Sequence, residues 1–381
     1  MAREDKERRR DKDRRNPVAP GGPSLLAAKP PATISPPPRH VYRWDLDKTY
    51  LKTEFDTLKQ LLRSAFEGAE AKVSIPGASV LLRELRAGGG ARICFISGSP
   101  RQMRRVLTKK LRLDGVEFDE FILKPNLRNM LTGRFRAMRE QVGYKLPALL
   151  AGRAGLPPET RETCFGDDAE ADGFIYSLYG DIIAGHVKRR LLEEILERAG
   201  AYDDDAQRAV TLAEALPTGE AVERIFIHLD RRSPVSRFDR YGARLVPIFN
   251  YFQAALVMLE DGQLSAPSVV RVALEMVDRH GYTVDSLRNS LQDLLRRARL
   301  RRSTALKLAE LLTEQDIPQL GALPAARELL IAFAARVHQL GDVPSMQIPL
   351  DKPVDYLAAL EADLPHKGKK RTDIAPPLDD R

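Results

Sequence analysis

The stretch Val41-Tyr42-Arg43-Trp44-Asp45-Leu46-Asp47-Lys48-Thr49-Tyr50 decides how the rest of the chain is read. A short run rich in β-formers ends in two carboxylates two residues apart, followed by a threonine. Along a strand, residues i and i+2 share a face, and the chain curls where the strand ends. Asp45 can then point into a cleft with Asp47 just above it. Open parallel sheets bind ligands beyond the carboxyl ends of their strands. Two carboxylates there suit a cation and an acid–base step. Asp-x-Asp-x-Thr alone fits a plain surface turn equally well, so its meaning depends on the motifs downstream in the chain.

Working outward, His40–Asp47 reads as a first strand, Ala91–Ile96 as a second, Glu120–Leu123 as a third, Glu162–Phe165 as a fourth and Arg224–Leu229 as a fifth. Between them lie helical patterns: Ala78–Ala87, a helix capped by Ser99 and opened by Pro100, one opened by Lys145, and others over 173–200. Strands alternating with helices imply right-handed crossovers and an α/β fold, a parallel sheet with helices on both faces. Gly88-Gly89-Gly90 precedes a strand, whereas a dinucleotide fingerprint follows one. Residues 50–72 are apolar at helical spacing and predict a small flap beside the first motif. After about residue 240 the strand pattern stops. Amphipathic helices over 246–260, 266–280, 283–301, 303–314, 324–339 and 353–362 predict a helical C-terminal domain. The expected organisation is a tail at 1–38, a catalytic domain at 39–239, the helical domain at 240–362 and a second tail at 363–381.

The chain has 381 residues and a formal net charge of +8. Residues 1–40 carry +5 and residues 365–381 carry +2, which leaves +1 for the body. The first tail is charged, and eight prolines fall between Asn16 and Pro38, so it buries too little to offset its ordering entropy. With the excess charge in the tails, no stable nucleic-acid complex is expected; weak attachment of the tails to an anionic membrane or to nucleic acid is the alternative to a solubilising role. No apolar run approaches the ~18 residues that span a bilayer, and the N-terminus lacks the apolar core of a secretory signal. Cys94 and Cys164 fit neither a disulfide framework nor a zinc site. A cytoplasmic location is expected.

Four polar motifs therefore sit at or near strand ends of one sheet: Asp45 with Asp47, Ser97, Lys145, and Asp167 with Asp168 and Asp172. Their order resembles the four motifs of the haloacid-dehalogenase-like phosphohydrolases and implies that superfamily's Rossmann-like core. A narrower resemblance is carried by Asp45–Thr49, Phe95-Ile96-Ser97-Gly98-Ser99-Pro100, Gly166-Asp167 with Asp172, and Ile175-Tyr176. These segments look like the catalytic domain of the actin-patch-type phosphatidate phosphatases, over roughly 40–260. Lys48 stands where that family often has a third acid, and Asp168 where a small residue is usual. Both departures bear on substrate more than on reaction.

Phosphoryl transfer needs an in-line nucleophile, a metal on the phosphate oxygens and fixed positive charge. Asp45 is the expected nucleophile and Asp47 the general acid and base. Mg2+ is the expected cofactor at a metal site of Asp45, Asp47, Asp167, Asp168 and Asp172, held by Asp45, Asp167, the Asp47 backbone carbonyl and waters, with Asp168 or Asp172 orienting the metal waters or Lys145. Ser97 is expected to hydrogen-bond a phosphate oxygen and Lys145 to balance charge, while Lys48, Thr49 and Gly98 contact substrate. Lys124 also follows a strand and competes with Lys145. Asp168 and Asp172 also fit helix N-terminal acids placed by the dipole. The expected activity is a Mg2+-dependent phosphomonoester hydrolase working through an aspartyl-phosphate, and the resemblance implies phosphatidate or a related lipid phosphate as its substrate. Its rivals are a phosphatase of soluble metabolites or nucleic-acid ends, and a scaffold that keeps the fold without catalysis. Oligomeric state is not legible.

Overall fold

The computed structural model describes residues 38–52, 69–124, 134–311, 324–340 and 353–363. The expected tails, apart from their innermost residues, and most of the expected flap at 50–72 lie outside these. Six strands form one parallel sheet: β1 (His40–Trp44), β2 (Ala91–Pro100), β3 (Glu120–Lys124), β4 (Arg161–Asp167), β5 (Val222–His228) and β6 (Leu245–Ile248). Their order is β3-β2-β1-β4-β5-β6. The chain builds outward from β1 to one edge, then returns to β1's other side. Crossovers above β1 and β4 consequently leave in opposite directions, which opens a crevice at their carboxyl ends.

The sheet separates two cores by simple alternation. Phe165 and Phe226 pack into one cluster, and Cys164, Ile225 and Ile227 into the other. The first face is covered by α1 (Ala78–Ala87), α2 (Arg104–Leu113), α7 (Tyr251–Glu260), α8 (Ala266–His280), α9 (Val284–Arg296), α10 (Arg302–Glu310) and α11 (Pro324–Leu340). The second carries α3 (Arg134–Ala154), α4 (Asp172–Ile183), α5 (Arg189–Ala199), α6 (Asp203–Ala215) and α12 (Tyr356–Asp363). Both cysteines are buried and unpaired. The parallel α/β expectation is borne out, and so is a helical C-terminal part. All described residues lie in one compact unit, Pro36–Arg381.

Four expectations need correction. Strands do not stop at 240: Leu245–Ile248 is a sixth strand, and the helix expected from 246 starts at Tyr251 behind an Asn250 cap. A four-residue buried apolar run has no period that separates strand from helix, and Pro247 is tolerated because β6 is an edge strand. β2 runs on to Pro100 with a register shift between Ser97 and Pro100. Ser99 does not cap a helix, because its hydroxyl is bound elsewhere; a 3-10 turn, Arg101–Met103, intervenes before α2. Lys145 lies inside α3 rather than opening it.

Arg43, next but one before Asp45, points to the second face. There Glu162 of β4, fully buried, accepts from Arg43 Nε, from Arg153 Nη1 of α3 (3.1 Å) and from Tyr179 OH of α4 at both oxygens (3.0 and 2.9 Å). One carboxylate thus ties the two central strands to the two helices that carry site residues. Glu162→Ala leaves two buried guanidiniums without a countercharge, and such losses cost about 3–5 kcal/mol. Chemical denaturation is expected to show that loss; a change below ~1 kcal/mol would show that the network is dispensable.

Candidate active site

Asp45 follows β1, and its N–H still donates to Phe165 O of β4 (2.8 Å). Being two residues on from Arg43, its side chain turns toward α3, where Lys145 waits with Nζ 2.9 Å from Asp45 Oδ1. Both side chains are almost completely buried. Neither Asp45 oxygen accepts a hydrogen bond. Burial pushes the Asp45 carboxyl well above the usual carboxylate range. Lys145 opposes the shift, while Asp172, Glu170 and Asp167 reinforce it. Burial works against the Lys145 charge too, but Asp172, Asp45 and Glu170 outweigh it and keep the ammonium.

The loop after β4 supplies the other acids. Asp167 Oδ1 accepts from the N–H of Ala169 (2.6 Å) and Glu170 (3.1 Å), which folds the loop tightly over the strand end. Asp172, the first residue of α4, bonds Lys145 and accepts from Asp167 N (3.3 Å). A Cβ at Gly166 would lie 2.5 Å from Asp172 Cβ, so a glycine is needed there for the loop to close. Glu170 reaches Lys145 at 3.1 Å. Burial, with like charges around them, raises the Asp167 and Asp172 carboxyls.

One oxygen from each of Asp45, Asp167, Glu170 and Asp172 lies within 4.8 Å of the others. Four carboxylates thus face one ammonium, and the central carboxylate has no hydrogen-bond donor. That donor set fits a hard divalent cation.

The turn after β1 carries the second motif. Leu46 O accepts from Tyr50 N (3.0 Å) and Leu51 N (2.8 Å), and Lys48 takes a left-handed conformation, φ 59°. Asp47 Oδ2 accepts from Ser97 Oγ (3.0 Å) and Ser99 Oγ (2.7 Å), so β1 and β2 meet through their motifs. Desolvation raises the Asp47 carboxyl; the two serines pull it partly back. Thr49 is buried, and its hydroxyl sits 3.5 Å from Asp167 Oδ2. A Cβ at Gly98 would meet nothing within 4 Å, so this backbone is bare and open to an incoming group. The Lys48 carbonyl is 3.1 Å from His228 Nδ1.

The structure therefore gathers Asp45, Asp47, Thr49, Ser97, Lys145, Asp167 and Asp172 at the crevice. It does not bring Asp168 in. Adjacent residues at a strand end point to opposite sides, and the Asp168 oxygens accept from Arg231 N (2.8 Å) and Ser233 N (2.9 Å), holding the loop after β5. The Asp47 carboxylate likewise stands apart from the four-acid group. Lys124 ends edge strand β3, where its charge bears on Asp205 rather than on the acids of the crevice.

Sequence reasoning missed Glu170, although it lies within the loop already singled out, three residues after Asp167. It also missed Tyr251, whose hydroxyl donates to Thr49 O, and the stack of Trp44 with Phe165 (centroids 4.0 Å apart) and Tyr251 (5.2 Å) that braces the turn. No local signal links Tyr251 to Thr49.

Residues 44–191 match the model of the family described as phosphatidate phosphatase APP1, catalytic domain. The match bears out the resemblance read from the motifs, and the matched family is one of phosphoric monoester hydrolases. It encloses every motif named above but ends at residue 191, short of the roughly 260 expected, so that β5, β6 and helices α6–α12 lie outside it. No curated protein and no solved structure matches the chain.

Proposed function

We propose that the chain hydrolyses lipid phosphate monoesters of the phosphatidate class through a covalent phosphate on Asp45. The observation that carries this is the buried, hydrogen-bond-free Asp45 carboxylate, paired with Lys145 and ringed by three more acids at the crevice between β1 and β4. The matched family supplies the substrate class.

An Asp45 oxygen attacks phosphorus as the ester oxygen leaves, and Asp47 gives its proton to that oxygen. Its raised affinity for a proton suits the task. Asp47, now ionised, takes a proton from water, which attacks phosphorus and releases inorganic phosphate with Asp45 restored. The serines aim the Asp47 carboxyl throughout. Lys145 balances the charge on Asp45 and on the phosphoryl oxygens. Asp45, Asp167, Glu170 and Asp172 would hold the cation, for which Mg2+ is the choice because hard oxygen donors and phosphate suit it; when bound it would neutralise phosphate oxygens.

The test compares kcat/KM for phosphatidate in mixed micelles with that for soluble phosphomonoesters of similar leaving-group pKa, with Mg2+ and after chelation. Loss of turnover on chelation and at least a tenfold advantage for the lipid are expected. Equal kcat/KM for soluble esters would remove the lipid assignment and leave the phosphatase. No turnover of any ester would favour a scaffold.

A further inference from the structure

In a parallel sheet every carboxyl end lies along one edge, so the connections leaving those ends form one surface around the crevice. Three of them expose Lys52, Arg101, Arg104, Arg105, Arg231 and Arg232, against the exposed acids Glu70, Asp230 and Asp239. At the opposite edge, where strands begin, the exposed residues include Glu117, Asp119, Glu159, Glu220 and Glu223 alongside Arg39, Arg112 and Arg161. The body, with a net charge of only +1, is therefore polarised along its strands: basic at the crevice, acidic behind. Two large apolar side chains stand exposed on the basic edge. Val73, whose carbonyl accepts from Lys52 N (2.9 Å), is 57 % exposed, and Phe249, directly after β6, is 45 % exposed.

We propose that this basic edge is a docking surface for an anionic lipid bilayer, which presents the crevice to the membrane plane. A deep pit of acids would repel an anionic headgroup, and a rim of arginines around it offsets that repulsion and turns the molecule as it approaches. Basic residues interspersed with exposed apolar side chains match a surface of anionic headgroups over acyl chains. No described helix is long and apolar enough to cross a membrane. The proposal uses the lipid-phosphate reading for the identity of the occupant, but docking does not require turnover.

The experiment uses the full chain and co-sedimentation with phosphatidylcholine vesicles containing 30 mol% (roughly the anionic level of a charged leaflet) phosphatidylserine, which is not a phosphomonoester. Arg105→Glu/Arg231→Glu/Arg232→Glu reverses the rim. Arg39→Glu/Arg112→Glu/Arg161→Glu makes the same charge change at the acidic end. The rim variant is expected to lose at least tenfold in vesicle affinity and the control less than twofold, with kcat at saturating soluble aryl phosphate and melting temperature unchanged in both. Binding by the unaltered chain should weaken with salt. Equal losses in the two variants would place binding in net charge or in the tails and overturn the proposal. Equal binding to pure phosphatidylcholine, or binding to single-stranded RNA without binding to vesicles, would overturn it also. Failure here with phosphatidate turnover intact would leave the lipid phosphatase standing and remove only the docking surface.

Discussion

Asp45→Asn is expected to lower kcat by about 10^4-fold or more, the order of loss that accompanies removal of a nucleophile. The amide is nearly isosteric but cannot attack phosphorus at a useful rate and ligates a hard cation poorly. Acid quenching of the unaltered protein during turnover should trap phosphate on Asp45, and the variant should trap none. Stability should move the other way. A carboxyl whose folded pKa lies above its unfolded value binds its proton more tightly when folded, so its contribution is complete at low pH and fades as pH rises through the folded value. Asp45, Asp167 and Asp172 are all raised, chiefly by burial. Metal-free protein should therefore melt at a higher temperature in mild acid than at neutral pH, and Mg2+ should restore the loss at neutral pH. Asp45→Asn removes one buried charge, so at neutral pH without metal it should melt above the unaltered protein and gain less from Mg2+. Wild-type turnover in the variant would end the assignment; a variant that melts lower would show that Asp45 is held by more than Lys145.

The fold was legible because its signals are periodic and local. Runs such as Arg161–Asp167 carry β-formers bounded by turn residues, and the strand-then-acid pattern recurs at β1 and β4. β6 was illegible because four buried residues carry no period. Within the site, Asp45, Ser97, Asp167 and Asp172 were legible as strand-end polar residues. Asp168 looked equivalent to Asp167 in sequence, yet the pleat turns it outward to bind the loop at Arg231 and Ser233. Ser99 suits a cap because Ser-Pro commonly opens helices; the prolonged β2 delivers its hydroxyl to Asp47 instead. Tyr251 lies 202 residues from the Thr49 carbonyl that it binds, and only packing of α7 on the first face brings them together.

The second large effect concerns the lysine, for which Lys145 and Lys124 compete in sequence. Lys145 is fully buried against Asp172, Asp45 and Glu170, whereas Lys124 ends an edge strand away from them. Lys145→Met keeps most of the aliphatic stem, one atom shorter, and removes the charge, leaving the acids of the crevice without their ammonium. Fixed charges aimed at a developing transition-state charge are worth roughly 10^2–10^3 in kcat, and that is the loss expected. The Asp45 carboxyl, which Lys145 now pulls down against burial, should rise further. The acid limb of the kcat profile that depends on ionised Asp45 should then move to higher pH, so part of the lost activity returns in alkaline buffer. A merely structural lysine would lower stability without moving that limb. Lys124→Met should leave kcat within about twofold, in keeping with a surface change distant from the chemistry. If Lys124→Met abolishes turnover and Lys145→Met retains it, the cluster around Lys145 is a structural ion network and the phosphoryl site must be sought elsewhere on the carboxyl edge.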